Sequence, residues 1–280
     1  MRVRPNFAAG SFYASDQKEL IRMIESNLKQ EQERINLSLS DKRIIGGVVP
    51  HAGHVYCAAE AVHFFEIVRN SKQEFDVVIL VNPNHTGKGL PLSIDDHAYW
   101  STPLGHIEVD RQLAEETGIP FDIESQEKEH SGEVIVPYIQ YFLGDKIKFL
   151  PVSFGAQNEG NAQVLASVLY DACKKLNRKP LFIASSDFNH FAPPEIGKEL
   201  DDYALEALLR KDCPEFAKRV RDKNISICGF GTIMTLLDFA RLEYGDFNIK
   251  VLRQGHSGEV QSMPEVVDYV SILVYTNKQS

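Results

Sequence analysis

Five side chains in this sequence combine metal-binding chemistry with positions beside apolar runs. His51 follows the run Ile44 to Val49 and Pro50, and His85 follows Phe75 to Val81 in the stretch NPNHTG. Asp187 and His190 fall in DFNH, where the run Leu181 to Asp187 ends, and Cys228 stands in ICGFG ahead of the apolar segment TIMTLLDFARL. Imidazole, carboxylate and thiolate groups from separate loops suit a mononuclear transition-metal site, and the thiolate favours softer metals. Catalytic sites of this kind commonly use three protein ligands and keep one position open. A histidine outside the ligand set can serve as general acid or base, because its ordinary pKa lies near neutrality. A helix start also favours a thiolate at Cys228.

Blander readings apply to each residue singly. One loop histidine is commonly a surface or hydrogen-bonded group, and one cysteine a small buried hydrophobe. Three histidine-bearing strand ends argue for a shared polar site. Ser185 and Ser186 lack the GxSxG surround of a serine nucleophile. Spacing gives no role to His54, His97, His106 or His256.

The elements that must position these groups are an α/β set. The runs 44–49, 75–81, 146–154 and 181–187 are β-branched without alternation, as in parallel strands buried on both faces. Ligands in such sheets bind beyond the carboxyl ends of the strands. Pro50 ends its strand because it has no N–H to donate. Helices are expected over 15–35, with Leu20, Ile24 and Leu28 at helical spacing behind a Ser/Asp cap, and over 55–69, whose His63 lies on a packed face. Further helices are expected near 111–117, from 134 with Pro137 in the first turns, and over 158–176, 195–210, 214–222 and 232–242. Residues 106–110 alternate like an edge strand, 83–104 read as a long irregular stretch, and 247–254 with 267–275 make two late strands. HSGE occurs at 130 and at 256 with nothing matching around the copies, so no repeat is assigned.

The chain of 280 residues is 43% hydrophobic and 25% charged, an ordinary globular composition. No apolar run approaches a membrane span and no secretory apolar stretch follows the start, so the expected location is cytoplasmic, without a membrane partner. The Asn-x-Ser/Thr matches at Asn36, Asn84 and Asn224 then carry no sugar. A net charge of −9 argues against nucleic acid. The densest basic patch, Lys174 to Lys179, reads as a solvated helix end. The four cysteines show no paired spacing, which points to neither a disulfide framework nor a structural zinc site.

The motifs AGSFY at 9, PHAGHVY at 50, NPNH at 82, STPLG at 101, EHSGE at 129, SSDFNH at 185 and CG at 228 stand in an order that resembles the Memo family, whose prokaryotic members are called AmmeMemoRadiSam system protein B. The resemblance spans nearly the whole chain. It implies one domain over 1–280, an α/β fold with a mostly parallel central sheet flanked by helices, similar to the class III extradiol ring-cleaving dioxygenases. By the same resemblance the pocket is built by His51, His85, Asp187, His190 and Cys228, with the cysteine in place of a dioxygenase carboxylate. His51, His85 and Cys228 would hold one iron or copper ion, or zinc. Asp187 and His190 would support it or act in catalysis, and His54 and His130 are further candidate pocket residues. The sequence departs from the usual pattern at His54, where tyrosine is common, and at Cys57-Ala58, where Ser-Gly is usual.

The resemblance implies a metal-dependent oxidoreductase related to the dioxygenases, acting on a small molecule. Two other functions share the residues: a non-enzymatic adaptor that uses the pocket to bind a peptide or partner protein, and a zinc-type hydrolase. Radical-SAM and AMMECR1-type proteins of the same system are the expected partners.

Overall fold

Apolar, β-branched runs form the middle of the sheet. In the computed structural model, which describes residues 2–144 and 146–277, the first strands are β1 (Val3–Arg4), β2 (Arg43–Val49), β3 (Val77–Pro83), β4 (Leu92–Ile94), β5 (Tyr99–Thr102) and β6 (Gly105–Val109). They are followed by β7 (Lys148–Phe154), β8 (Pro180–Ser185), β9 (His190–Ala192), β10 (Asn248–His256) and β11 (Val266–Thr276). Among the described residues these strands make one sheet in the order β1-β5-β6-β7-β3-β8-β2-β11-β10, with β4 on β7 and β9 on β11. Strands β6, β7, β3, β8 and β2 are parallel, and β11 and β10 join them antiparallel. Every residue of β3 is buried, which explains its continuous apolar run.

The helices are α1 (Gln17–Glu31), α2 (His54–Asn70), α3 (Arg111–Thr117), α4 (Glu124–Glu127), α5 (His130–Glu133), α6 (Val136–Leu143), α7 (Glu159–Lys175), α8 (Pro194–Leu209), α9 (Cys213–Asp222) and α10 (Phe230–Tyr244). They cover both faces. Ile79, Val152 and Phe182 pack with Leu165 of α7 and Leu237 of α10. Val78, Leu80 and Leu181 point the other way, to Ile24 of α1, Phe64 and Phe65 of α2 and Tyr138 of α6. The alternation along each strand thus feeds two cores, each removing apolar surface from water.

Local signals act where expected. The Asp16 side chain accepts a hydrogen bond from the Glu19 N–H and starts α1, and Pro137 lies in the first turn of α6. Two expectations fail. Residues 106–110 are not an edge strand, because β5 and β1 extend the sheet beyond β6. The stretch 83–104 is not wholly irregular, because Leu92–Ile94 pairs with Ser153 and its neighbours, and Tyr99–Thr102 with β6. Both depend on partners that local patterning does not reveal.

The basic patch at 174–179 borders a cleft of about 530 Å³ with Arg43, Lys72 and Tyr244. It lies where α2, α7 and α10 end, so its cations offset the negative helix termini. Among the described residues no helix is long and apolar enough to cross a membrane.

Candidate metal centre

Two strand ends and a helix start place the donors on one edge. Pro50 carries the chain out of β2 into His51, and β3 ends two residues before His85. Cys228 arrives from the far side, immediately before Gly229 and α10. A Cβ at Gly229 would meet the Ser185 carbonyl oxygen at 2.3 Å, so only glycine lets this helix begin against the end of β8. The ligand atoms of His51, His85 and Cys228 lie within 4.8 Å of one another. His51 Nε2 is 3.3 Å from Cys228 Sγ, and the His51 and His85 rings are 5.2 Å apart.

Asp187 closes one side. Its Oδ1 accepts the His51 N–H at 2.7 Å, its own N–H points to Cys228 Sγ at 3.3 Å, and its Oδ2 is 3.9 Å from His51 Nε2. His130 closes the other. Its ring stacks on Phe12 at 4.3 Å and on His85 at 4.9 Å, and lies 5.6 Å from the His51 ring. His190 sits on β9, with Nδ1 2.8 Å from the Ser226 carbonyl oxygen.

Behind the donors lies a buried polar network that the sequence reading missed. Glu129 is wholly buried, with Oε2 accepting the His85 N–H at 2.5 Å and Oε1 3.0 Å from His85 Nδ1. His51 Nδ1 is 2.7 Å from Ser185 Oγ, whose hydroxyl reaches the Ser131 carbonyl at 2.7 Å. Buried Arg4 pairs with Glu133, donates to the Glu129 and Gln126 carbonyls and stacks on Trp100. Nothing in the spacing of Glu129 or Arg4 signals these roles. EHSGE carries Glu129, but its residue types alone name no partner for it.

The electrostatics follow from burial. Burial, with His85, His130 and His190 nearby, holds the His51 imidazole well below its ordinary range and therefore neutral. Burial also lowers His130. Burial alone would raise Glu129, but the hydrogen bond and charge of His85 take it down to about 2. Asp187 is pushed up to about 6 by burial, against the His51 N–H and the facing His190 and His85. The Cys228 thiol is driven far up by burial and by Asp187, so the helix start does not by itself yield a thiolate. Deprotonation there needs a cation, and a bound metal removes a thiol proton outright.

The remaining candidates fall as follows. His54 is fully buried behind the cluster, its Nε2 on the Val134 carbonyl and its ring between Tyr13 and Tyr138. Burial brings it down to about 4. It is not among the grouped donors. His63 is buried against Glu31, and Cys57, Cys173 and Cys213 are buried free thiols.

The donor set suits one transition-metal ion. A nitrogen and a sulfur ligand at about 2.0 and 2.3 Å from a zinc-like ion stand at most about 4.3 Å apart, and the three ligand atoms here lie within 4.8 Å of one another. Two imidazoles and a thiolate suit iron, copper or zinc and leave a position open.

Comparison with known proteins gives a consistent answer. The family model described as Memo-like protein matches residues 4–273. A MEMO1 family protein of Methanococcoides burtonii is 36% identical over 275 residues, covering 97% of this chain and all of that protein. One from Pyrobaculum aerophilum is 37% identical over 283 residues, covering 98% of this chain and all of its own. Among solved structures, an uncharacterized protein from Escherichia coli K12 has a similar fold, with TM-score 0.53 and 11% identity over 76% of this chain and 91% of that one.

Proposed function

The chain belongs to the Memo family, and on that premise we propose that it is a metal-dependent oxidoreductase-type protein in which His51, His85 and Cys228 hold one iron or copper ion. The observation that carries this reading is the convergence of those three ligand atoms within 4.8 Å from three separate segments. When bound, such an ion supplies Lewis-acid and one-electron chemistry at an open position.

The chain's own residues prepare that position. His190 commits its Nδ1–H to the Ser226 carbonyl, which leaves Nε2 as a proton acceptor. Asp187 holds the His51 backbone with one oxygen and keeps the other near the donors. Phe12 covers His130 and narrows the approach for a small molecule. Four unpaired thiols fit a cytoplasmic protein.

The test is elemental analysis of protein purified anaerobically without an affinity metal column, beside His51→Ala and His85→Ala. About one iron or copper ion per chain, lost in both variants, supports the reading. Zinc together with hydrolytic turnover would replace it with metal-assisted hydrolysis. Absence of metal even after reconstitution would leave a ligand-binding pocket in its place.

A further inference from the structure

The buried segment behind the centre has a role that the ligand list does not contain. We propose that Glu129 and the Ser131 carbonyl are positioning groups that fix the tautomers of both metal-binding imidazoles, so that each presents an Nε2 lone pair to the ion. This rests on the metal reading above, but its evidence is the hydrogen-bond geometry around the two rings.

For His85, both Glu129 oxygens accept backbone N–H groups, Oε2 from His85 and Oε1 from Ser131 at 2.9 Å. Oε1 also faces His85 Nδ1 at 3.0 Å. A carboxylate occupied in this way only accepts, so in the neutral ring Nδ1 carries the hydrogen and Nε2 is bare. For His51, Ser185 Oγ lies 2.7 Å from both His51 Nδ1 and the Ser131 carbonyl oxygen. The carbonyl can only accept, so the single hydroxyl hydrogen goes there and Ser185 must take a hydrogen from His51 Nδ1. Again Nε2 is bare, and it faces Cys228 Sγ.

One short stretch therefore sets both rings. It is fastened in turn to the end of β3, where Asn82 donates to the Ser131 hydroxyl, which shares its own hydrogen between the Pro83 carbonyl at 2.9 Å and Glu129 Oε1 at 2.8 Å. Gly132 is required for that approach, since a Cβ would meet Asn82 Oδ1 at 2.8 Å. Arg4 holds the same stretch from outside through the Glu129 carbonyl at 2.8 Å. Partners of this kind orient metal-binding histidines and raise their basicity, and losing one commonly costs about 10-fold to 100-fold in affinity.

The experiment is long-range ¹⁵N–¹H correlation of the imidazoles in the metal-free full chain above neutral pH, followed by zinc(II) titration. Wild type should show both His51 and His85 as Nδ1–H tautomers. In Glu129→Gln the His85 preference should weaken while His51 keeps its own, and zinc affinity should fall about 10-fold to 100-fold. Ser185→Ala should do the converse to His51. A purely structural role for Glu129 would move the thermal midpoint and leave both tautomers unchanged. An Nε2–H tautomer at either ring in wild type overturns the proposal without any variant, as does a Glu129→Gln protein with unchanged tautomer and affinity. Wild type with the expected tautomers but no metal affinity would instead overturn the metal reading and leave the proton assignment standing.

Discussion

His51 Nε2 and Cys228 Sγ are 3.3 Å apart although 177 residues separate them. As ligands, this nitrogen–sulfur pair would make a centre softer than an imidazole–carboxylate one. Cys228→Asp should therefore lower copper(I) affinity more than iron(II) affinity, with the ratio moving by about tenfold, or 1.4 kcal/mol. Competition titrations with each ion measure that ratio, and an unchanged value would remove the cysteine from the ligand set.

Close backbone approach at Gly229 gives a second expectation. Gly229→Ala drives a methyl into the Ser185 carbonyl, which should cost about 1–3 kcal/mol as overpacking and displace Cys228. Metal content should fall with it. Gly160→Ala is the control: an added Cβ meets nothing closer than 3.5 Å on α7, so stability should rise by about 0.4–1 kcal/mol. Chemical denaturation of both variants gives the two signs.

Arg4 and Glu133 form an ion pair whose side chains are both fully buried. Arg4→Met leaves the carboxylate with only the Phe7 and Ala8 N–H groups and the Tyr13 hydroxyl. The expected loss is about 3–5 kcal/mol, read as a lower urea midpoint with unchanged slope. Adding Glu133→Gln should recover part of it, because the uncompensated charge then disappears.

A carboxyl pair supplies the pH dependence. Asp201 on α8 and Asp268 on β11 are buried carboxyls that face one another. Burial and the facing Asp268 push Asp201 up to about 8, and burial pushes Asp268 up to about 6. The folded pair thus keeps up to two protons that the unfolded chain releases near the ordinary carboxylate range. Unfolded molecules bind fewer protons across that window, so this pair's contribution falls as pH rises from about 4 to about 8, at up to about 1.4 kcal/mol per unit for each proton retained. Asp201→Asn, with a permanent donor, should flatten that slope in denaturation curves taken across the window.

The sequence exposed whatever depends on local chemistry. Burial on both faces writes itself as continuous β-branched runs, so β2, β3, β7 and β8 were legible, and with them the loops that carry His51, His85, Asp187 and His190. The structure brings His51, His85 and Cys228 to one point. Glu129 and Ser185 were not legible as supports, since they meet His85 and His51 across 44 and 134 residues, and an acidic or hydroxyl side chain has no pattern that announces its partner. Arg4 is a similar case: nothing about an arginine at the fourth position announces the distant glutamate and Trp100 that enclose it. The interior place of β6 was hidden for the same reason, because only the pairing of β5 and β1 decides which strand is outermost.

The spread of the three donors along the chain also bears on how the protein is made. Ribosomes add about 5–20 residues per second, so the 177 residues between His51 and Cys228 take roughly 10–35 s to synthesise. Throughout that interval the nascent chain offers two histidines without their thiolate, and the sheet that aligns them lacks the closing strands β10 and β11. If these three groups hold the ion, the complete donor set cannot exist before Cys228 has been made, and metal uptake would follow folding instead of preceding it.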